Sequence, residues 1–242
     1  MMKYKVLSTK KLELSLIEQA KQNGIEVIEQ EFISVKGVFS KEKFKELTEL
    51  VKSGLEHFVF TSSNAVILLD QDLYLGDTHY IIDGKIFCLS GKTKDAVLNS
   101  NHLGRNIIGE AENASSLAKK IIELKIDKVI FFCGNKRREE LPLLLKNAGI
   151  KVHEMIVYET IETPTIITDD SDAILFFSPS AVQSFFSTNK LKKNTVCFAI
   201  GETTADSITT FTNNKIITSE FPSQEMMIAS LNFYFQNINC YE

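Results

Sequence analysis

Residues 131–160 read FFCGNKRREELPLLLKNAGIKVHEMIVYET and leave the chain few choices of fold. The apolar run that leads into them, Lys128–Cys133, has the length and composition of a buried strand. Gly134 turns the chain, Arg138–Ala148 carries Leu141 and Leu145 one helical turn apart, and Gly149 stops the helix. Val152–Thr160 is a second extended run. Strand, helix and strand in that order form a βαβ unit, which requires a parallel sheet with helices packed on it. Within the unit, Lys136-Arg137-Arg138 is the obvious place to hold an anion.

The same alternation runs through the chain. Tyr4–Ser8 reads as a strand, Leu12–Asn23 as a helix and Ile25–Val35 as one long extended run. Helix Lys41–Lys52 and strand Phe58–Thr61 follow, then Ser62-Ser63-Asn64 and a helix from Ala65. Strand Lys85–Leu89 runs into Ser90-Gly91-Lys92-Thr93 and a helix, and short strand Ile107-Ile108 precedes helix Ala114–Leu124. Beyond residue 160 come strand Ala173–Phe177, Ser178-Pro179-Ser180 with a helix, and strand Val196–Ile200. Gly201-Glu202-Thr203-Thr204 opens another helix, strand Lys215–Thr218 follows, and Ser223–Phe235 is the last helix. The class is therefore α/β with parallel sheets.

The chain also resembles itself. IFCLSGKTKDAV at 86–97 is similar to VCFAIGETTADSI at 196–208, with Gly91 on Gly201 and Thr93 on Thr203, and FVFTSSNAV at 58–66 is similar to LFFSPSAV at 175–182. Two similar α/β domains are the expectation. In both, small hydroxyl residues stand where strands run into helices. Helix N-termini carry unpaired N–H groups and the positive end of the dipole, so these turns favour anions; as single residues the same Ser and Thr serve equally as N-caps. The repeat moves the expected anion site from the basic cluster to these turns. Lys136-Arg137-Arg138 then reads as mostly solvated, with Arg138 as a helix-start residue making a capping or interdomain contact.

Several functions are disfavoured by composition. A net charge of −4 lacks the cationic face that broad nucleic-acid binding needs. The loop after the first strand, Ser8-Thr9-Lys10-Lys11, lacks GxGxxG, which counts against a nucleotide-dependent oxidoreductase. Cys88, Cys133, Cys197 and Cys240 form no CxxC pair and read as reduced core thiols, and His57, His79, His102 and His153 lack metal-ligand spacing. The N-terminal residues have no continuous apolar h-region and no run of about 18 apolar residues occurs, so the expectation is a soluble cytoplasmic protein without a membrane partner.

FTSSNAV at 60–66, SGKT at 90–93, Gly134, Arg138, Leu141, Leu145 and Gly149 in the spacing G-x3-R-x2-L-x3-L-x3-G, VYET at 157–160, FFSPSAV at 176–182, AIGETTA at 199–205 and PSQEMM at 222–227 occur in that order. Together they resemble the uroporphyrinogen-III synthase family over most of the chain. Ser63-Asn64 and Glu202 depart from its usual pattern. The resemblance implies two similar parallel-sheet α/β domains joined by a two-stranded linker, with the active-site cleft between them. Residues 1–34 and 160–242 would form one domain and 35–159 the other, with linker strands near Ile33–Val38 and Met155–Thr160.

The resemblance further implies an activity. The family closes the linear tetrapyrrole hydroxymethylbilane to uroporphyrinogen III, losing water and inverting ring D through a spiro intermediate, without a metal or organic cofactor. Carried over residue by residue, Tyr158 is the proton donor; phenols stay protonated at neutral pH and can donate. Thr61 and Thr93 in one domain and Ser178, Thr203 and Thr204 in the other fall at substrate-binding positions, and Ser62 and Ser180 belong to the same turns. The substrate would be handed over by hydroxymethylbilane synthase, to a monomer. Without the resemblance, Tyr158 reads equally as an aromatic filling a strand junction, and the chain as a non-catalytic two-domain binding module for a small anionic ligand.

Overall fold

A computed structural model describes residues 2–75, 78–79 and 82–237, with the backbone alone at 75, 78 and 79. The His79 side chain and Cys240 lie outside the described residues. The chain divides into two compact units, Met1–Ser34 with Ile161–Glu242, and Val35–Thr160.

The elements begin with β1 (Tyr4–Ser8), α1 (Leu14–Gln22), β2 (Ile25–Glu29), β3 (Ile33–Gly37), α2 (Lys41–Lys52), β4 (His57–Phe60) and α3 (Ser63–Leu73). A short antiparallel pair, β5 (Tyr74–Leu75) and β6 (Thr78–His79), precedes β7 (Lys85–Leu89), α4 (Lys92–Asn99), β8 (Ile107–Ala111), α5 (Ala114–Glu123) and β9 (Lys128–Gly134). Then come α6 (Glu140–Asn147), β10 (Lys151–Glu162), β11 (Ala173–Phe176), α7 (Pro179–Thr188), β12 (Val196–Ala199), α8 (Glu202–Thr209), β13 (Ile216–Thr218) and α9 (Gln224–Asn237).

The discontinuous unit holds a sheet in the order β13-β12-β11-β1-β2, parallel throughout. The continuous unit holds the order β3-β10-β9-β4-β7-β8, parallel from β10 to β8. Central strands covered on both faces must be apolar along their whole length. Val129–Cys133, Ala173–Phe176 and Val196–Ala199 are accordingly buried at every residue. In the continuous unit Phe58, Phe60, Phe132 and Met155 face one core, and Val59, Phe131 and Cys133 face the other with Leu141 and Leu145 of α6. Phe132 stacks on Phe60 with ring centroids 4.9 Å apart and meets Phe58 edge-on at 5.5 Å.

The expected extended run Ile25–Val35 divides into β2 and β3, because its two ends join different sheets and Phe32, fully buried, anchors the break. The βαβ unit that constrains the sequence is β9–α6–β10. Its helix starts later than the leucine spacing predicts: Glu139 is the residue before the first turn, so Arg138 belongs to the preceding loop and is not a helix-start residue. Gly149 closes the helix with φ +81°, a conformation suited to glycine.

Candidate active site

In the continuous unit the chain steps from β4 outward to β7 and β8, then returns to the other side of β4 for β9 and β10. The strand order reverses between β4 and β9. Open parallel sheets bind ligands outside the carboxyl ends of the strands at such a reversal, because the following helices diverge there. A cavity of about 450 Å³ lies at that place. Its wall includes Thr61 and Ser62 after β4, Asn113 before α5, Gly134 and Lys136-Arg137-Arg138 after β9, and Tyr158 of β10.

Tyr158 is aimed by its strand. β10 pairs with β9 residue for residue until Ile156 faces Cys133; the register then shifts and Tyr158 faces Gly134, leaving Val157 as the extra residue of a bulge. Bulges re-aim side chains and recur beside active sites. The half-buried phenol ring lies directly on Gly134, where a Cβ would stand 2.8 Å from the Tyr158 hydroxyl. That hydroxyl donates to Ser62 Oγ at 3.3 Å. Ser62 precedes the first turn of α3 but its side chain makes no cap hydrogen bond. Its oxygen is thus turned to Tyr158 instead of to its own helix.

The basic cluster lines the same cavity, so the expectation that it is merely solvated does not hold for Arg137. The Arg137 guanidinium forms ion pairs with Glu154 of β10 and, at 2.5 Å, with Glu139. The hydrogen bond to Glu139 does most to raise its pKa further above the ordinary arginine value. Burial works against the charged form of Glu154, yet hydrogen bonds from Lys146 and Arg137 outweigh it and hold the carboxyl below the usual range. Glu112 and Glu140 also line the cavity, which therefore presents both signs of charge. Cys133 reaches it too, but burial pushes the thiol up to about 11, so it stays neutral and is no nucleophile. Among the described residues no three His, Cys, Asp or Glu side chains gather as a metal site.

Of the residues singled out in the sequence, Thr61, Ser62 and Tyr158 are brought together. Thr93 is not: it is buried with Val97 on the core face of α4, four residues apart and hence on one side of the helix. In the discontinuous unit Ser178 is the N-cap of α7 and accepts from the Ala181 N–H at 3.1 Å. Ser180 is half-buried and Thr203 exposed. Thr204 is 1% exposed and packs inward with Ala205 and Ile208. This sheet also reverses, between β1 and β11, and the residue there is Thr9, which the sequence marks only as part of a loop without GxGxxG. Thr9 is buried; its hydroxyl donates to the Leu175 carbonyl at 2.8 Å and accepts from the Phe177 N–H at 3.4 Å.

The model of the family described as uroporphyrinogen-III synthase HemD matches residues 15–229. The chain belongs to the uroporphyrinogen-III synthase family. A triple mutant of uroporphyrinogen III synthase from Thermus thermophilus is 14% identical, with 98% of this chain and 100% of that one covered at a TM-score of 0.65. Uroporphyrinogen-III synthetase from Helicobacter pylori is 14% identical over 95% of this chain and 98% of that one, at a TM-score of 0.66. At these identities the likeness is one of fold. No curated protein matches the chain. The family acts on hydroxymethylbilane as a cyclising lyase of tetrapyrrole and heme biosynthesis, and membership sets aside the reading as a non-catalytic binding module. Among the described residues no helix is long and apolar enough to cross a membrane.

Proposed function

We propose that this chain closes hydroxymethylbilane to uroporphyrinogen III with Tyr158 as the general acid. The observation that carries the proposal is the Tyr158 phenol, held on Gly134 and against Ser62 at the wall of the cavity where the sheet order reverses. Tyr158 gives its proton to the departing hydroxyl of the bilane, which leaves as water, and an electrophilic azafulvene remains. Ring D attacks through its substituted carbon to give the spiro intermediate, which fragments and recloses with that ring inverted. The carbon that closes the macrocycle then loses a proton, which restores the phenol. A positioned acid contributes about 10²–10⁴-fold.

Selectivity is the larger demand, because the uncatalysed closure gives isomer I. It requires a flexible polyanion to be held in one conformer. In this reading Thr61 and Lys136-Arg137-Arg138 hold substrate carboxylates, while Ser62 orients the phenol. Ser178, Ser180 and Thr203 of the other unit are proposed as further carboxylate donors, through their hydroxyls or the N–H groups of their turns. Thr93 and Thr204, whose side chains face the core, are proposed to serve the site by holding their turns in place. The protein is proposed to act as a monomer that receives the bilane from hydroxymethylbilane synthase.

The test is to supply hydroxymethylbilane by a coupled synthase, oxidise the products and separate the isomers. Uroporphyrin III is expected in excess; isomer I alone would refute the proposal. Tyr158→Phe is expected to lower kcat about 10²-fold with the fold intact, and an unchanged kcat would remove Tyr158 from the mechanism.

A further inference from the structure

Strand β9 ends at Gly134, opposite Tyr158, whereas β10 continues to Glu162. The stretch of β10 just past the catalytic phenol has therefore outrun the neighbour that set its register. One residue takes over that neighbour's role. The Asn135 backbone N–H donates to the Tyr158 carbonyl at 3.2 Å. Its side-chain Oδ1 accepts from the Thr160 N–H at 2.9 Å, and its Nδ2 donates to the Thr160 carbonyl at 3.4 Å. A primary amide presents one acceptor and a donor pair side by side, as a peptide unit does, so it can complete a ladder where the backbone has turned away.

These bonds matter because the phenol is loosely tethered otherwise. Its own hydrogen bond to Ser62 is long for an O–H···O pair, whose usual length is about 2.7–2.8 Å. The ring is supported from below by Gly134, which limits its approach but does not hold it laterally. Lateral position is left to the backbone of residues 158–160, and on the β9 side that backbone is gripped by Asn135.

We propose that Asn135 is a positioning residue for the cyclisation: its side-chain amide clamps the Thr160 backbone and so fixes where the Tyr158 hydroxyl points. The inference rests on Tyr158 being the general acid. Removing the amide frees two backbone groups to water, and the strand end acquires a range of positions. A shift of the phenol by a fraction of an ångström reduces proton transfer but leaves the carboxylate contacts in place, so kcat falls and KM does not.

The experiment is a double-mutant cycle in the full chain, with initial rates of uroporphyrinogen III formation and amide hydrogen exchange at Thr160. Asn135→Ala is expected to lower kcat about tenfold with KM within about twofold, and to speed exchange of the Thr160 N–H. Asn135→Asp, which retains the Oδ1 acceptor, is expected to fall between wild type and Asn135→Ala, and serves as the test if the alanine variant does not fold. In a Tyr158→Phe background, Asn135→Ala is expected to cost nothing further. An equal loss with and without the Tyr158 hydroxyl, or no loss from Asn135→Ala while Tyr158→Phe is impaired, overturns the role of Asn135 alone. An unchanged kcat in Tyr158→Phe overturns the assignment of Tyr158, and that of Asn135 with it.

Discussion

Gly134→Ala puts the support of Tyr158 under direct strain. The Gly134 backbone is outside the left-handed region, so alanine can adopt it without conformational penalty. What changes is space. A Cβ at this position would lie 2.5 Å from the Tyr158 Cε2 and 2.8 Å from the hydroxyl, whereas ordinary contact begins at 3.4 Å. Cζ would lie nearer still, so the difference of 3.4 and 2.5 requires the ring to retreat by at least about 0.9 Å. The hydroxyl stands 3.3 Å from Ser62 Oγ, the outer range of such a bond, so a movement of that size displaces it from the place where the bond is made. Misplacement by about 1 Å costs up to about 10²-fold in rate, and local overpacking costs about 1–3 kcal/mol in stability. Steady-state kinetics with coupled bilane supply and thermal unfolding read the two effects. The stability loss is expected to vanish in a Tyr158→Ala background, where the obstructing ring is gone. A Gly134→Ala protein with unaltered kcat, or a stability loss that persists without the ring, would refute the steric account.

Two further outcomes follow from ionisation. Glu154 has a folded pKa below its ordinary value near 4.5, so the stability it confers is complete above that value and is lost as pH falls through the lower, folded one. Glu154→Gln is therefore expected to lower the melting temperature at neutral pH and to flatten its decline below about pH 4.5; an unchanged acid limb would show the ion pairs with Arg137 and Lys146 to be without consequence. Burial pushes the thiols of Cys88 and Cys133 up to about 11 and that of Cys197 to about 12. Iodoacetamide under native conditions at pH 7.5–8 (~7.5–8 being below all three values) is expected to leave these three unmodified, as read by peptide mass spectrometry, and rapid labelling of any of them would contradict its burial.

Much of the architecture was legible because it follows from short-range pattern. Apolar runs such as Val129–Cys133 identify strands buried on both faces, and Leu141 and Leu145 identify the inner face of α6. The site was legible less evenly. Tyr158 emerged only through the resemblance of VYET, since nothing in its own surroundings separates it from a packing aromatic. Helix phase could have shown that Thr93 and Thr204 face inward, because Thr93–Val97 and Thr204–Ile208 are both spaced by four. Gly134 was legible as a turn but not as the support of Tyr158, and Asn135 was not legible at all. Their roles arise from pairing across about two dozen residues and from a bulge at Val157, and MIVYETIE carries no local mark of that extra residue. The repeat misled in the other direction: Lys136-Arg137-Arg138 reads as an anion site by itself and as mostly solvated beside the repeat, and only the return of β10 supplies Glu154 to anchor Arg137.

The division of the chain also sets an order of events during synthesis. Val6 of β1 takes its place beside Ala173 of β11, and no part of β11 exists until the intervening unit has been made. At about 5–20 residues per second, the 139 residues from Val35 to Ala173 take roughly 7–28 s to emerge (173 − 34 = 139). Throughout that interval β1 and β2 are a two-stranded fragment with the inner edge of β1 unfilled, a template for mispairing. Val35–Thr160, by contrast, is contiguous and brings all of its own contacts with it. The nascent polypeptide thus completes the half that carries Tyr158 first, while β1 and β2 wait for β11 to be made.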